Sequence, residues 1–129
     1  MTGYKTNIET DTINNTCFRK VLFTGKYCQL VVMSLKPNEE IGMEVHPTVD
    51  QFFRIEKGEA KFIINKEESI TKANDVVIVP AGSEHNVINT SSVEDLKLYT
   101  IYSPPNHPEG TIHQTKADAL AAEKAKEEN

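Results

Sequence analysis

The feature that most constrains the fold is a rhythm of short apolar runs. "CFRKVLFTG", "YCQLVVMSLKPNEE", "QFFRIEKGEAKFIINKEESI", "DVVIVPAGSEHNVIN" and "LKLYTIYSPP" follow one another from Cys17 to Pro105. They are rich in β-branched and aromatic residues, and Gly25, Pro37, Lys57-Gly58, Asn65-Lys66 and Pro80-Ala81-Gly82 punctuate them, which is how strands and their turns are written. Strand signals at intervals of about ten residues, with no helical period between them, predict an all-β sandwich or barrel. The compact jelly-roll is the expected form.

The two ends differ from this middle. Residues 1–16 are polar, threonine- and asparagine-rich and without pattern, so they read as an arm that is ordered only if it docks. The tail "TKADALAAEKAKEEN" is alanine-rich and opens with Thr115-x-x-Asp118, an arrangement akin to a capping box, and predicts a terminal helix. The expected organisation is an N-terminal arm over 1–16, a barrel over 17–103, and a loop with a short C-terminal helix over 104–129. A chain of 129 residues has room for one hydrophobic core and one site.

Charge narrows the partners. The net charge is -5, the pI about 5.4, and the only arginines are Arg19 and Arg54, which argues against the basic surface that nucleic acid or an anionic membrane requires. The amino terminus has no apolar core of signal-peptide length and no stretch approaches a membrane span, so a cytosolic protein is expected. Cys17 and Cys28 have neither a CxxC nor a zinc-knuckle spacing and read as buried packing thiols on adjacent strands.

The chemistry concentrates in "EIGMEVHPTVDQFFRIEKGEA", Glu40 to Ala60. Glu44 and His46 sit two apart in an extended run, so both side chains leave the same face; Gln51 follows five residues later. A second segment runs a buried strand into the Pro80-Ala81-Gly82 turn and emerges with His85. Strands distant in sequence face each other across a small barrel only a few side chains wide, so His85 can meet Glu44, His46 and Gln51 inside it. By alternation Phe53 and Ile55 point inward with Gln51, while Phe52 and Arg54 point out. Met33, Val76, Ile78, Val87 and Tyr99 or Tyr102 are the further candidates for the lining. Such a pocket, apolar with one polar cluster, suits a small molecule. His107 and His113, in "SPPNHPEGTIHQTK", read as residues of a surface loop, with a lid as the other role open to them.

These segments resemble the two motifs of the cupins. The first motif, Gly, five residues, His-x-His, three or four residues, Glu, six residues, Gly, corresponds to Asn38, Glu44-Val45-His46, Gln51 and Gly58. The second, Gly, five residues, Pro-x-Gly, two residues, His, three residues, Asn, corresponds to Asn74, Pro80-Ala81-Gly82, His85 and Asn89. Asn38 and Asn74 replace family glycines, and asparagine is the residue that best tolerates the left-handed backbone such turns need. The resemblance implies a double-stranded β-helix jelly-roll holding a divalent metal on Glu44, His46, Gln51 and His85, with one family histidine become Glu44 and the family glutamate become Gln51. Zinc is the first expectation; manganese, iron, nickel and cobalt also suit two imidazoles with oxygen donors. A carboxylate facing an apolar interior is costly unless a cation compensates it.

The chain looks like the short mannose-6-phosphate isomerase-like cupins, which implies a metal-dependent isomerase of a sugar or sugar phosphate, with Glu44 and Gln51 as candidate catalytic residues. An iron-dependent dioxygenase and a non-catalytic metal- or ligand-binding cupin are the alternatives. The resemblance also implies a homodimer; the polar arm followed by "CFRKVLF" is itself placed to add an edge strand to a neighbour's sheet.

Overall fold

The computed structural model describes residues 2–128; Met1 and Asn129, the outer ends of the expected arm and helix, lie outside the described residues. Nine strands run between two helices: α1 (Ile8–Asn14), β1 (Arg19–Thr24), β2 (Gln29–Leu35), β3 (Asp50–Lys57), β4 (Glu59–Ile64), β5 (Glu67–Lys72), β6 (Val76–Val79), β7 (His85–Asn89), β8 (Leu96–Ser103), β9 (Ile112–His113) and α2 (Lys116–Glu128). Every expected apolar run holds one or more of these strands. The pairings are antiparallel and form two sheets, β6-β3-β8-β2-β1-β9 and β5-β4-β7. Isolated bridges at Glu40–Ile88 and Glu44–His85 prolong the smaller sheet beside β7.

Alternation sets the core. Gln51, Phe53 and Ile55 are buried along β3 while Phe52 and Arg54 are half-exposed, as a two-residue period requires. Val31, Met33, Leu98, Phe62 and Val87 meet them from the other strands, and the Phe53 and Phe62 rings pack edge to face at 5.1 Å. On β6 the inward residues are Val77 and Val79; Val76 and Ile78, expected in the lining, are 49% and 61% exposed. The run "VVIV" is apolar at every position, so its phase comes only from pairing Val79 with Gln51.

The turns explain the two asparagines. Asn38 and Asn74 have φ of 63° and 76°, the left-handed conformation expected for residues in those glycine positions. Gly58, with φ of 98°, lies where a Cβ would come within 3.1 Å of the Asp95 carbonyl oxygen, so a side chain here would be both strained and crowded.

The amino-terminal segment is more ordered than its composition suggests. Asn7 caps α1 by accepting the Thr10 amide at 3.0 Å, with Glu9 and Asp11 in the first turn, where the helix dipole favours acids. Helix α1 docks because the buried Lys97 ammonium donates to the Asn15 carbonyl at 2.6 Å and to Ser34 Oγ at 2.9 Å. At the other end, Thr115 and Asp118 exchange side-chain-to-backbone bonds at the start of α2, and Ala119 is buried. Among the described residues no helix is long and apolar enough to cross a membrane.

Candidate metal centre

Backbone pairing brings the first two donors together. The Glu44 and His85 amides each donate to the other's carbonyl, at 2.8 and 2.9 Å, and residues directly opposite in an antiparallel pair project to the same side. His46 precedes Pro47, which favours extended backbone, and its carbonyl accepts the Gly82 amide at 2.9 Å. Ligand atoms of Glu44, His46 and His85 all lie within 4.8 Å of one another. Gln51 comes from the opposite sheet, on β3, in a row with Tyr102 and Val79.

Hydrogen bonds aim these groups. His85 is buried, and its Nδ1 lies 3.1 Å from the Ser83 carbonyl; donation there places the other lone pair on Nε2. Gln51 is 2% exposed; its Nε2 donates to Thr100 Oγ1 at 3.0 Å, leaving Oε1 buried without a partner. His46 Nε2 lies 3.0 Å from Glu44 Oε2. Burial pushes the Glu44 carboxyl up, but the His46 hydrogen bond and the charges of His46, Arg19 and His85 outweigh it and hold the group below the usual carboxylate range.

The donor set fits a divalent cation. Two imidazoles, one carboxylate and one amide oxygen suit first-row metals, and an orphaned buried acceptor such as Gln51 Oε1 is costly without a partner. A cation bound between His46 and Glu44 would replace the hydrogen bond that joins them.

A second polar group adjoins the first. Tyr102, 1% exposed, turns its ring toward His46 at 5.9 Å, and its hydroxyl lies 3.2 Å from His107 Nε2. Burial raises the Tyr102 phenol, and the Arg19 charge only partly opposes this. Burial and the Arg19 charge push the His107 ring down to about 3, so it stays neutral. His107 therefore does not stand on an outer loop. Gln29, fully buried, fixes it by donating to the His107 carbonyl at 2.7 Å and accepting the Asn106 and His107 amides at 3.1 and 3.0 Å.

Tyr99, the alternative to Tyr102 in the lining, stands outside with its ring 6.1 Å from Phe52. Pairing Gln51 with Tyr102 fixes that parity. Cys17 is buried as expected, whereas Cys28 is exposed at the β1–β2 turn. Sequence reasoning passed over Arg19, which is 2% exposed, and Gln29; both lie in phase with inward residues, Arg19 opposite Met33 and Gln29 opposite Tyr102. That phase was the available signal.

Comparison with known proteins agrees with this fold. The cupin domain model matches residues 31–102. The chain is 50% identical over 124 residues to the uncharacterized protein YrkC of Bacillus subtilis, covering 91% of this chain and 66% of that one. It is 44% identical over 112 residues to the uncharacterized protein L612 of Acanthamoeba polyphaga mimivirus, covering 84% and 70%. The crystal structure of BH2720 from Bacillus halodurans superposes with a TM-score of 0.89 at 41% identity, over 92% of this chain and 93% of that one. Motif spacing, sheet topology and these relatives agree: the chain belongs to the cupin family and carries a single small cupin barrel.

Proposed function

We propose that this cupin holds a divalent cation on Glu44, His46, His85 and Gln51 and uses it to engage an oxygen-bearing small molecule. The observation that carries the reading is the convergence of three ligand atoms within 4.8 Å, beside a buried amide oxygen that lacks a partner. When bound, the cation supplies Lewis acidity for a carbonyl or hydroxyl oxygen and, as iron(II), open positions for dioxygen. The chain's own groups do the rest. Glu44 stays ionised, His85 is oriented by Ser83, Gln51 is oriented by Thr100, and the Tyr102 hydroxyl is hydrogen-bonded to His107.

Elemental analysis of untagged protein tests the reading. The wild type should carry about one ion per chain and His85→Ala only traces; trace metal in both would overturn it. Zinc is the first candidate because two imidazoles, a carboxylate and an amide oxygen suit it.

For the reaction, isomerisation of a sugar or sugar phosphate is the first candidate, with Glu44 and Gln51 at the reacting oxygens. Interconversion of mannose 6-phosphate and fructose 6-phosphate by the zinc- or manganese-loaded protein would support it, and failure of that assay would remove it. An iron-dependent oxygenase is favoured by a separate observation: the three clustered donors are two imidazoles and one carboxylate, the ligand types of the facial triad. Oxygen uptake by the iron(II)-loaded protein with an aromatic diol or a diketone distinguishes the two.

We also propose a cytosolic homodimer. The exposed Val76 and Ile78 on the edge strand β6 support a dimer surface there. The outer edge of β1 is taken by β9 of the same chain, which argues against strand addition through "CFRKVLF". Light scattering of the wild type and Ile78→Lys should show a dimer and a monomer; a monomeric wild type would end the proposal.

A further inference from the structure

The sequence gives no role to Arg19, yet its surroundings are unusual for a cation. Its side chain is 3% exposed, and Nε is buried without a partner. Nη1 lies 3.4 Å from His113 Nδ1 and 4.0 Å from the Glu123 carboxylate, which is half-exposed. The ring of Phe18 backs the guanidinium at 5.4 Å. A guanidinium offers five N–H donors in a planar fork, and an incompletely paired buried charge is costly. Arg19 also lines a cleft of about 460 Å³ between the 106–113 segment and α2, together with His107, His113, Glu123 and Lys126.

We propose that Arg19 anchors the carboxylate of a small-molecule ligand in this cleft. The planar fork matches a carboxylate through two parallel hydrogen bonds, and Glu123, beyond hydrogen-bonding distance, marks the place where an anion is accepted. Two cations, Arg19 and Lys126, and one carboxylate, Glu123, leave the lining with one net positive charge, which matches a monoanionic group better than a dianion. His107 and Arg19 stand between the cleft and the metal centre: both line the cleft and both reach the Tyr102 hydroxyl, His107 through Nε2, while Tyr102 stands against His46. The proposal deepens the metal reading and rests on it for one point only, that the anchored molecule is the one the metal engages.

Propionate, a monoanion that chelates metals poorly, is the probe, titrated into the full 15N-labelled chain with and without bound metal while the Arg19 Nε–H and His113 amide resonances are followed. Propionate should shift both resonances saturably in both states. Arg19→Gln and Arg19→Lys should each weaken binding, read at the His113 amide, about tenfold or more, the lysine because it keeps the charge and loses the fork. Glu123→Gln, at a half-exposed carboxylate 4.0 Å from Arg19 and with folding checked by urea unfolding, should tighten propionate binding by about threefold by removing the competing carboxylate. Unmoved resonances, or affinity unchanged in all three variants, overturn the proposal. Inorganic phosphate acting where propionate does not overturns the carboxylate assignment. Propionate binding to a chain that proves unable to hold metal removes the metal reading alone, and a stoichiometric metal without propionate binding removes this one alone.

Discussion

Around Glu44, His46, Gln51 and His85 the interior is rich in lone pairs, with Gln51 Oε1 left unpartnered. Around Arg19 it is rich in N–H donors, with Nε left unpartnered. The two regions share one barrel and are joined through Tyr102 and His107. Neither unmet demand is answered by the other, although the Arg19 charge helps to keep Glu44 ionised. The difference teaches that one small barrel can present lone pairs at one end of its interior and N–H donors at the other.

Substituting Glu44→Gln removes the only carboxylate among the four donors and is expected to have the largest effect, a loss of metal affinity of about 100-fold or more. Competition with a chromophoric chelator measures it. An unchanged affinity would mean that the lone-pair-rich end does not hold the ion.

Gln29→Leu loosens the other end without touching a donor. It should cost about 2 kcal/mol in urea unfolding, since a buried amide and three backbone partners lose their bonds. Amide exchange at Asn106 and His107 should accelerate while metal affinity changes little. A parallel loss of metal would show that the two ends are not separable.

Acid separates them further. Because the folded His107 ring is pushed down to about 3 from 6.5, the unfolded chain takes up a proton first as pH falls. The stability this group contributes is complete above about pH 6.5 and is lost as pH falls toward 3. Urea midpoints at pH 7 and pH 4.5 should therefore differ less for His107→Asn than for the wild type, and an equal difference would contradict the burial of the ring.

The smallest effect belongs to a site remote from both ends. Asn38→Gly should change stability by only about 0.5 kcal/mol and Asn38→Ala should cost about 1 kcal/mol, because alanine resists the left-handed backbone. Equal losses would show that the side chain rather than φ matters at this turn.

How much of this was legible follows from the kind of signal involved. Strand rhythm and motif spacing located Glu44, His46, Gln51 and His85, and the asparagines declared their own backbone conformation. What escaped depends on register or on distant partners. Tyr99 and Tyr102 are three apart, so they face opposite sides, and only pairing with Gln51 selects Tyr102. Helix α1 is seven residues long and is held by Lys97 from β8, which no local propensity records. His107 is turned inward by Gln29, 78 residues away. Arg19 sits where composition suggests solvent, and its phase with Val21 on β1 was the one hint.

The reciprocal backbone bonds between Glu44 and His85 give the centre a particular economy. Their Cα atoms form a fixed rung, so the span between two donors is set before any ion arrives. If the centre is loaded as proposed, the main chain at this rung has no need to move, and Glu44→Gln should leave the amide shifts of the Glu44–His85 pair close to those of the wild type.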